Sequence, residues 1–372
     1  MAKSASTATD TRTVTSAELL TELDHIVFNR RRPSFVWGPP GIGKSDIVHQ
    51  LAERHKRPVV DVRLSLWEPT DIKGIPYFDS VKETMRWAPP AELPTDPKSN
   101  AVLFLDELNS APPAVQAAAY QLILNRKVGV YELPKGVDVI AAGNRESDRG
   151  VTYRMPDPLV TRLVHFELRA DHECWMQWAV DNHLHPEVIG YVASAKQHFA
   201  PGNALATSKS RTFPTPRGWY FTSEALQDSD HLSESMLTDI VAGIIGDGVA
   251  HEFIAHRKIA AHMPKPGQVL DGAVTKFEVR EMSAMYSLAI SMCYELKDRW
   301  DRAGDDKKKT DACQKNADNF IRFSMDNFPT EMVVLAARTA LNTYGLPINP
   351  GKLKNFAEFH QRFGKYVLNS VG

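Results

Sequence analysis

Cysteine is scarce in this chain of 372 residues: Cys174, Cys293 and Cys313 are the only three, far apart and in no CxxC pair. That spacing gives neither a disulfide framework nor a zinc site, and it fits a reducing, cytoplasmic compartment. Long apolar runs are missing too. No stretch approaches the ~18 uninterrupted apolar residues of a membrane span, so no membrane insertion is expected. The polar start, MAKSASTATDTRT, has no apolar core of a secretory signal. Neither sign of charge is in excess: 44 Lys and Arg stand against 45 Asp and Glu, a formal net charge of −1. Bulk charge therefore gives no reason for a nucleic acid or a membrane surface as partner. Internal repeats are absent as well.

What is present is an ordinary globular composition, 43% hydrophobic and 24% charged, on a length that suits about two domains. Residues 1–14 read as a disordered N-terminus. A helix is expected over 15–29, with Leu19, Leu20, Leu23 and Ile26 on one face. Short apolar runs then alternate with helical stretches: SFVW (34–37), VVDVRL (59–64), AVLFLD (101–106), VDVIAAG (137–143) and LVHFEL (163–168). Runs this apolar are buried on both faces, and their alternation with helices predicts a five-stranded parallel sheet between helices. Two pieces interrupt the pattern. Residues 67–94 are rich in Pro, Gly and Trp, too long for a connection, and carry IPYF and TMRWA as arms of a hairpin insert. A second small hairpin is expected near KVGVYEL, over 127–134. After 170 the strand signals stop and helical periodicity takes over, broken by loops at 201–216 and 263–273. This gives an α/β core at 15–170, a helical lid at 171–298 and a helical C-terminal extension at 299–372, parted by the solvated charge run DRAGDDKKKTD.

The stretch GPPGIGKS, Gly38, Pro39, Pro40, Gly41, Ile42, Gly43, Lys44 and Ser45, follows the first apolar run and opens a helix. Its spacing, GxxxxGK[ST], is that of a phosphate loop. Glycine lets backbone N–H groups approach phosphate oxygens, and the helix start aims its dipole at the anion. Lys44 is expected on the β- and γ-phosphates and the Ser45 hydroxyl on Mg²⁺, which makes ATP and Mg²⁺ the expected cofactors. The run VLFLDE ends a buried strand in Asp106 and Glu107. A carboxylate there needs a reason: Asp106 fits the partner of the metal, through water, and Glu107 the group that orients an attacking water.

The segments LFLDELNSAPPAVQAAAYQLILNRKVGV and VIAAGNRESDRGVTYRMPDPLVTRLVHFEL resemble the MoxR branch of the AAA+ ATPases, over about 33–225. The resemblance implies an AAA+ core with a helical lid, assembled as a ring, usually a hexamer, with ATP between neighbouring subunits. It implies that Asn144 is the polar sensor acting with Glu107, that Arg162 is the arginine finger offered to a neighbour's ATP, and that Arg217 in FPTPRGW is the second sensor of the lid. It also implies that the inserts 67–94 and 127–134 lie on the ring's axial side. The family's Arg after DE-x-N is Ser110 here, so that duty is absent or moved to Arg126, Arg145, Arg149 or Arg154. An extra residue between Gly150 and Tyr153 leaves Arg154 as the other candidate finger. The function so implied is hydrolysis of ATP to remodel or activate a protein client, in a chaperone-like role. A protein with a von Willebrand factor A domain is a client that related ATPases serve. A DNA-associated motor or nuclease-coupled ATPase, and a scaffold that uses ATP only to assemble, are the rival readings.

Three weaker signals point elsewhere and fail. HEFIAH (251–256) places its two histidines five apart, about 140° around a helix, so they share no face for zinc. HLHP (183–186) reads as a loop or cap, and Trp175, Trp178 and Trp219 as packing of the lid.

Overall fold

The computed structural model describes residues 12–145, 148, 152–201, 211–278 and 281–368. It divides into two compact units, Met1–Cys174 and Trp175–Gly372.

The first unit is built on a parallel sheet. Its strands are β1 (Thr13–Val14), β2 (Ser34–Trp37), β3 (Val59–Arg63), β6 (Val102–Asp106), β9 (Asp138–Gly143) and β10 (Val164–Leu168). Two hairpins stand apart from it: β4 (Ile75–Asp79) with β5 (Thr84–Ala88), and β7 (Lys127–Val128) with β8 (Tyr131–Glu132). The sheet order is β1-β10-β2-β9-β6-β3, and every pair is parallel. The five expected runs are the five long strands. The sixth, β1, corrects the expectation of disorder at 12–14; residues 1–11 lie outside the described residues. Val14 is buried and pairs with Leu168, so this short polar-flanked segment gains an edge that its own composition does not announce.

Side chains alternate across the sheet, as a period of two requires. On one face Phe35, Leu103, Leu105, Val139 and Ala141 meet the helix Pro113–Asn125 through Val115, Ala118 and Leu122. On the other, Val36, Val102, Phe104, Ile140 and Ala142 meet α1 (Ser16–Leu23) and α2 (Lys44–Arg54) through Leu19, Leu23, Ile47 and Leu51. Helices on both faces explain why these strands read as continuous apolar runs. The helix expected over 15–29 starts in a capping box, in which Glu18 N–H donates to Thr15 Oγ1 (3.3 Å) and Thr15 N–H to Glu18 Oε2 (2.8 Å). From Asp24 to Asn29 it widens into a π-helical turn.

The order of the strands positions the site. The chain leaves β2 through α2 and returns at β3, passing over β9 and β6. Neighbouring strands β2, β9 and β6 therefore present their carboxyl ends side by side: Trp37 pairs with Gly143, and Leu105 with Ala141. The turns after β2, β6 and β9 hold 38–45, 107 and 144, so ligand chemistry is expected at this edge.

The second unit is helical among its described residues. Trp219 is fully buried; its Nε1–H is shared between the carbonyls of His198 (3.1 Å) and Phe199 (3.2 Å), and Tyr191 and Phe253 pack around it. The helices Pro186–Ser194 and Met282–Ala303 touch at Gly190, where a Cβ would come within 2.6 Å of Ser287 Cα. Helix Met282–Ala303 runs across position 298, where lid and extension were expected to part, and the charge run 301–311 spans the end of that helix, the turn at 304–306 and the start of the helix Lys307–Asn327. Of the loop expected at 201–216, residues 202–210 lie outside the described residues. The loop expected at 263–273 contains the short helix Pro266–Leu270. His251 is exposed and His256 buried on the helix Asp247–Ala260, in line with their lying on different faces.

Candidate functional site

The phosphate loop joins β2 to α2. Gly43 caps α2 at φ 99°, a left-handed conformation that side-chain-bearing residues rarely adopt. Its turn points the first N–H groups of α2, which have no partner within the helix, at the mouth of the loop. Lys44 is buried as a residue, and its ammonium donates to Gly38 O (2.7 Å), Pro39 O (3.1 Å) and Asn144 Oδ1 (3.0 Å). Gly38 N–H in turn donates to Gly143 O (3.3 Å), which ties the loop to the end of β9.

Ser45 and Asp106 face each other, with Ser45 Oγ donating to Asp106 Oδ2 at 3.2 Å. The other carboxylate oxygen accepts the Glu107 N–H at 2.9 Å. The influence of Asp106 reaches β3: burial first, and then the Asp106 charge, push the Asp61 carboxyl above its ordinary range. Glu107 stands at φ 56°, left-handed for a residue with a side chain. Such a conformation costs about 1–2 kcal/mol and persists only where the surroundings enforce it. Its carboxylate accepts the hydroxyl of Ser65, and Arg63 Nε lies 3.9 Å away.

Asn109 completes the edge. It is 1% exposed, and its Nδ2–H donates to the backbone carbonyl of Asn144 at 2.7 Å. Its own backbone carbonyl accepts Tyr153 N–H at 2.6 Å. At Gly143 a Cβ would stand 2.0 Å from Asn109 Oδ1 and 2.7 Å from Phe35 Cζ, so only glycine lets Asn109 slide under the end of β9.

Lys44, Ser45, Asp106, Glu107 and Asn144 thus come together. An ammonium, a helix start, and a hydroxyl paired with a carboxylate through hard oxygen donors fit a polyphosphate with Mg²⁺. The candidate arginines of the first unit are engaged with other partners. Arg162 Nη1 donates to Tyr120 OH (3.4 Å), and Arg154 faces Asp157 (3.4 Å) with its side chain 83% exposed. Arg126 donates to Pro134 O (2.6 Å) and Val137 O (2.8 Å). Arg145 is engaged by Asp148 (3.0 Å) and Glu167 (3.3 Å), and Arg149 lies outside the described residues. Arg217 belongs to the second unit, in the first turn of the helix Pro216–Leu226. Pro216 is its first residue, and Thr215 Oγ1 accepts Gly218 N–H at 2.9 Å. Ser65 and Asn109 are contributors that sequence reading did not single out. Asn109 stands inside the DELN segment but has no periodic signal, and Ser65 has none at all.

Residues 33–163 match the family model described as AAA domain (dynein-related subfamily). No curated protein is a match in sequence. Among solved structures, NtrX from Brucella abortus aligns at 14% identity and TM-score 0.36, over 66% of this chain and 61% of that one. The RuvB Holliday junction branch migration motor of Thermotoga maritima aligns at 17% and 0.37, over 74% and 80%. A putative ATPase from Cytophaga hutchinsonii aligns at 14% and 0.32, over 96% and 94%. Likeness at such TM-scores says nothing about function. The loop 38–45, the strand end at Asp106 and Glu107, and Asn144 all fall within the matched segment, and residues 33–163 carry an AAA+ ATPase domain.

Proposed function

We propose that the chain is one subunit of a ring, hexameric by its resemblance, that binds ATP with Mg²⁺ between neighbours and hydrolyses it to remodel or activate a protein partner, as MoxR-like ATPases do. The observation that carries this reading is the convergence of Lys44, Ser45, Asp106, Glu107 and Asn144 at the carboxyl ends of three adjacent strands. Binding alone would need Lys44 and the loop; a second carboxylate beside Asp106 is what hydrolysis adds.

Each group has a task in that reaction. Lys44 holds the β- and γ-phosphates. Ser45 and Asp106 hold the metal, which when bound offsets phosphate charge. Glu107 orients and polarises the attacking water, and Asn144 positions it. Arg162, with Arg154 as the other candidate, is supplied to the neighbour's nucleotide, and Arg217 senses the nucleotide from the lid. A protein with a von Willebrand factor A domain is the partner the resemblance favours. The exposed apolar side chains of the β4–β5 hairpin, Ile75, Phe78, Val81 and Met85, give the insert a surface for a protein rather than for nucleic acid.

The test is the Glu107→Gln protein. It should bind ATP as the parent does, lose at least about a hundredfold of turnover, and retain its partner in a pull-down with ATP. Turnover equal to the parent's would overturn the catalytic assignment. Turnover that rises with added DNA and falls steeply with salt would favour a DNA motor instead.

A further inference from the structure

At the opposite end of the sheet, where β2, β9 and β10 begin, lies a cleft of about 550 Å³ lined by Arg31, Arg32, Arg126, Arg162, Asp138 and Thr161, among others. Four guanidinium groups share it with one carboxylate. That carboxylate is fully used: Asp138 takes Arg31 on one oxygen (3.0 Å) and Arg57 on the other (2.6 Å), and it is buried. Arg126 spends its guanidinium on the carbonyls of Pro134 and Val137, and burial followed by the Arg31 charge depresses its pKa. Arg32 and Arg162 remain. Both are exposed, and among the described residues neither makes an ion pair.

The two are held on neighbouring, well-anchored backbone. Arg32 N–H donates to Ile26 O (3.0 Å), Val164 N–H to Pro33 O (3.0 Å), and Arg162 N–H to Leu159 O (3.2 Å). Uncompensated arginines gathered in one cleft repel one another, and an anion with several oxygens relieves that repulsion. Arginine's planar fork is suited to phosphate in particular.

We propose that this cleft receives the terminal phosphates of a nucleotide held by a second copy of the chain, and that Arg32 is a second cation acting there beside Arg162. The proposal rests on the ring reading above and deepens it. The site on the phosphate loop supplies one ammonium, Lys44, while the Arg63 guanidinium is directed to Glu107 and that of Arg145 to Asp148 and Glu167. A nucleoside triphosphate with its metal still carries net negative charge, and the charge that spreads over the transferring phosphoryl needs cations from outside that edge. The opposite end of the sheet carries such cations. A head-to-tail arrangement brings one end of a subunit against the other end of the next, and such contacts close into rings.

The experiment compares Arg32→Ala, Arg32→Lys and Arg162→Ala. Arg32→Ala should lower kcat about tenfold or more, the scale of one charge-assisted hydrogen bond, with nucleotide affinity kept. Arg32→Lys should keep part of the rate. Mixing Arg32→Ala with Lys44→Ala subunits should restore activity, since each contributes what the other lacks. A second readout does not use turnover. In Glu107→Gln protein with ATP, adding Arg32→Ala should raise the protein concentration needed for assembly, followed by sedimentation, by about tenfold. If Arg32→Ala hydrolyses and assembles like the parent while Arg162→Ala does not, the second cation is overturned and the ring reading stands. If both behave like the parent, this cleft does not receive the nucleotide and the proposal is overturned, while the ring reading then requires Arg154 as the finger.

Discussion

Asn109 shows what a single buried polar side chain can decide. Its Nδ2–H fixes the carbonyl of Asn144, and Asn144 Oδ1 in turn receives Lys44, so two hydrogen bonds separate Asn109 from the ammonium. Its Oδ1 is buried without a protein partner. Replacing Asn109 with Ala removes one hydrogen bond and one orphaned acceptor together, so stability should change by only about 1 kcal/mol. Turnover should fall roughly ten- to a hundredfold, with ATP affinity within about twofold, because the sensor loses its anchor while the phosphate loop is untouched. Phosphate-release kinetics beside nucleotide titration checks the split; equal loss in both would mean that Asn109 only holds the fold. The DE-x-N pattern contains this residue but assigns it no contact. Asn144 was legible through the family resemblance, at the end of an apolar strand, but Asn109 matters through a contact 35 positions away.

At the scale of elements, the strands were readable because burial on both faces leaves a continuous apolar run. Phe104 is fully buried, so Phe104→Ala should cost about 3–5 kcal/mol through lost burial and a cavity. Gly143→Ala tests the opposite error. The added methyl meets Asn109 Oδ1 and Phe35, and should cost about 1–3 kcal/mol by overpacking. Denaturant unfolding should give both losses, and Gly143→Ala should also slow turnover because the atoms that must move belong to the site. The hairpins were readable from their turn-flanked alternation. Strand β1 was not, because two residues hold no period; only the free edge of β10 gives them a partner.

At the scale of the molecule, several carboxyls are held below their ordinary range. The Arg299 guanidinium does this for Asp271, Lys352 for Asp311, the Lys82 N–H for Asp79 and the Thr15 N–H for Glu18. A depressed folded pKa contributes stability above the unfolded value, and that contribution is lost as pH falls through the folded one. Asp61, raised, works in the reverse sense. The melting temperature should therefore fall as pH drops below about 4. Asp271→Asn should flatten part of that fall while lowering stability only slightly at neutral pH, since its pair with Arg299 is partly exposed. A steeper acid dependence in Asp271→Asn would refute the assignment. Acid titration needs both units intact, since Glu18 and Asp79 lie in the first, and Asp271 and Asp311 in the second.

The sequence by itself determined the phosphate loop, the alternation of strand and helix, the carboxylate pair at Asp106 and Glu107, and the helical character beyond 170. Each of these is local: a glycine spacing, a hydrophobic period, a charge at the end of an apolar run. Only the tertiary structure decided that Lys44 meets Asn144, 100 positions away, that Asn109 lies under Gly143, and that four arginines from three segments share one cleft. The physical reason is that strand order comes from hydrogen bonding between distant segments and from covering both faces of a sheet. Many sequences with the same periods satisfy those demands in different orders, so a site assembled across strand ends exists only after the order is set.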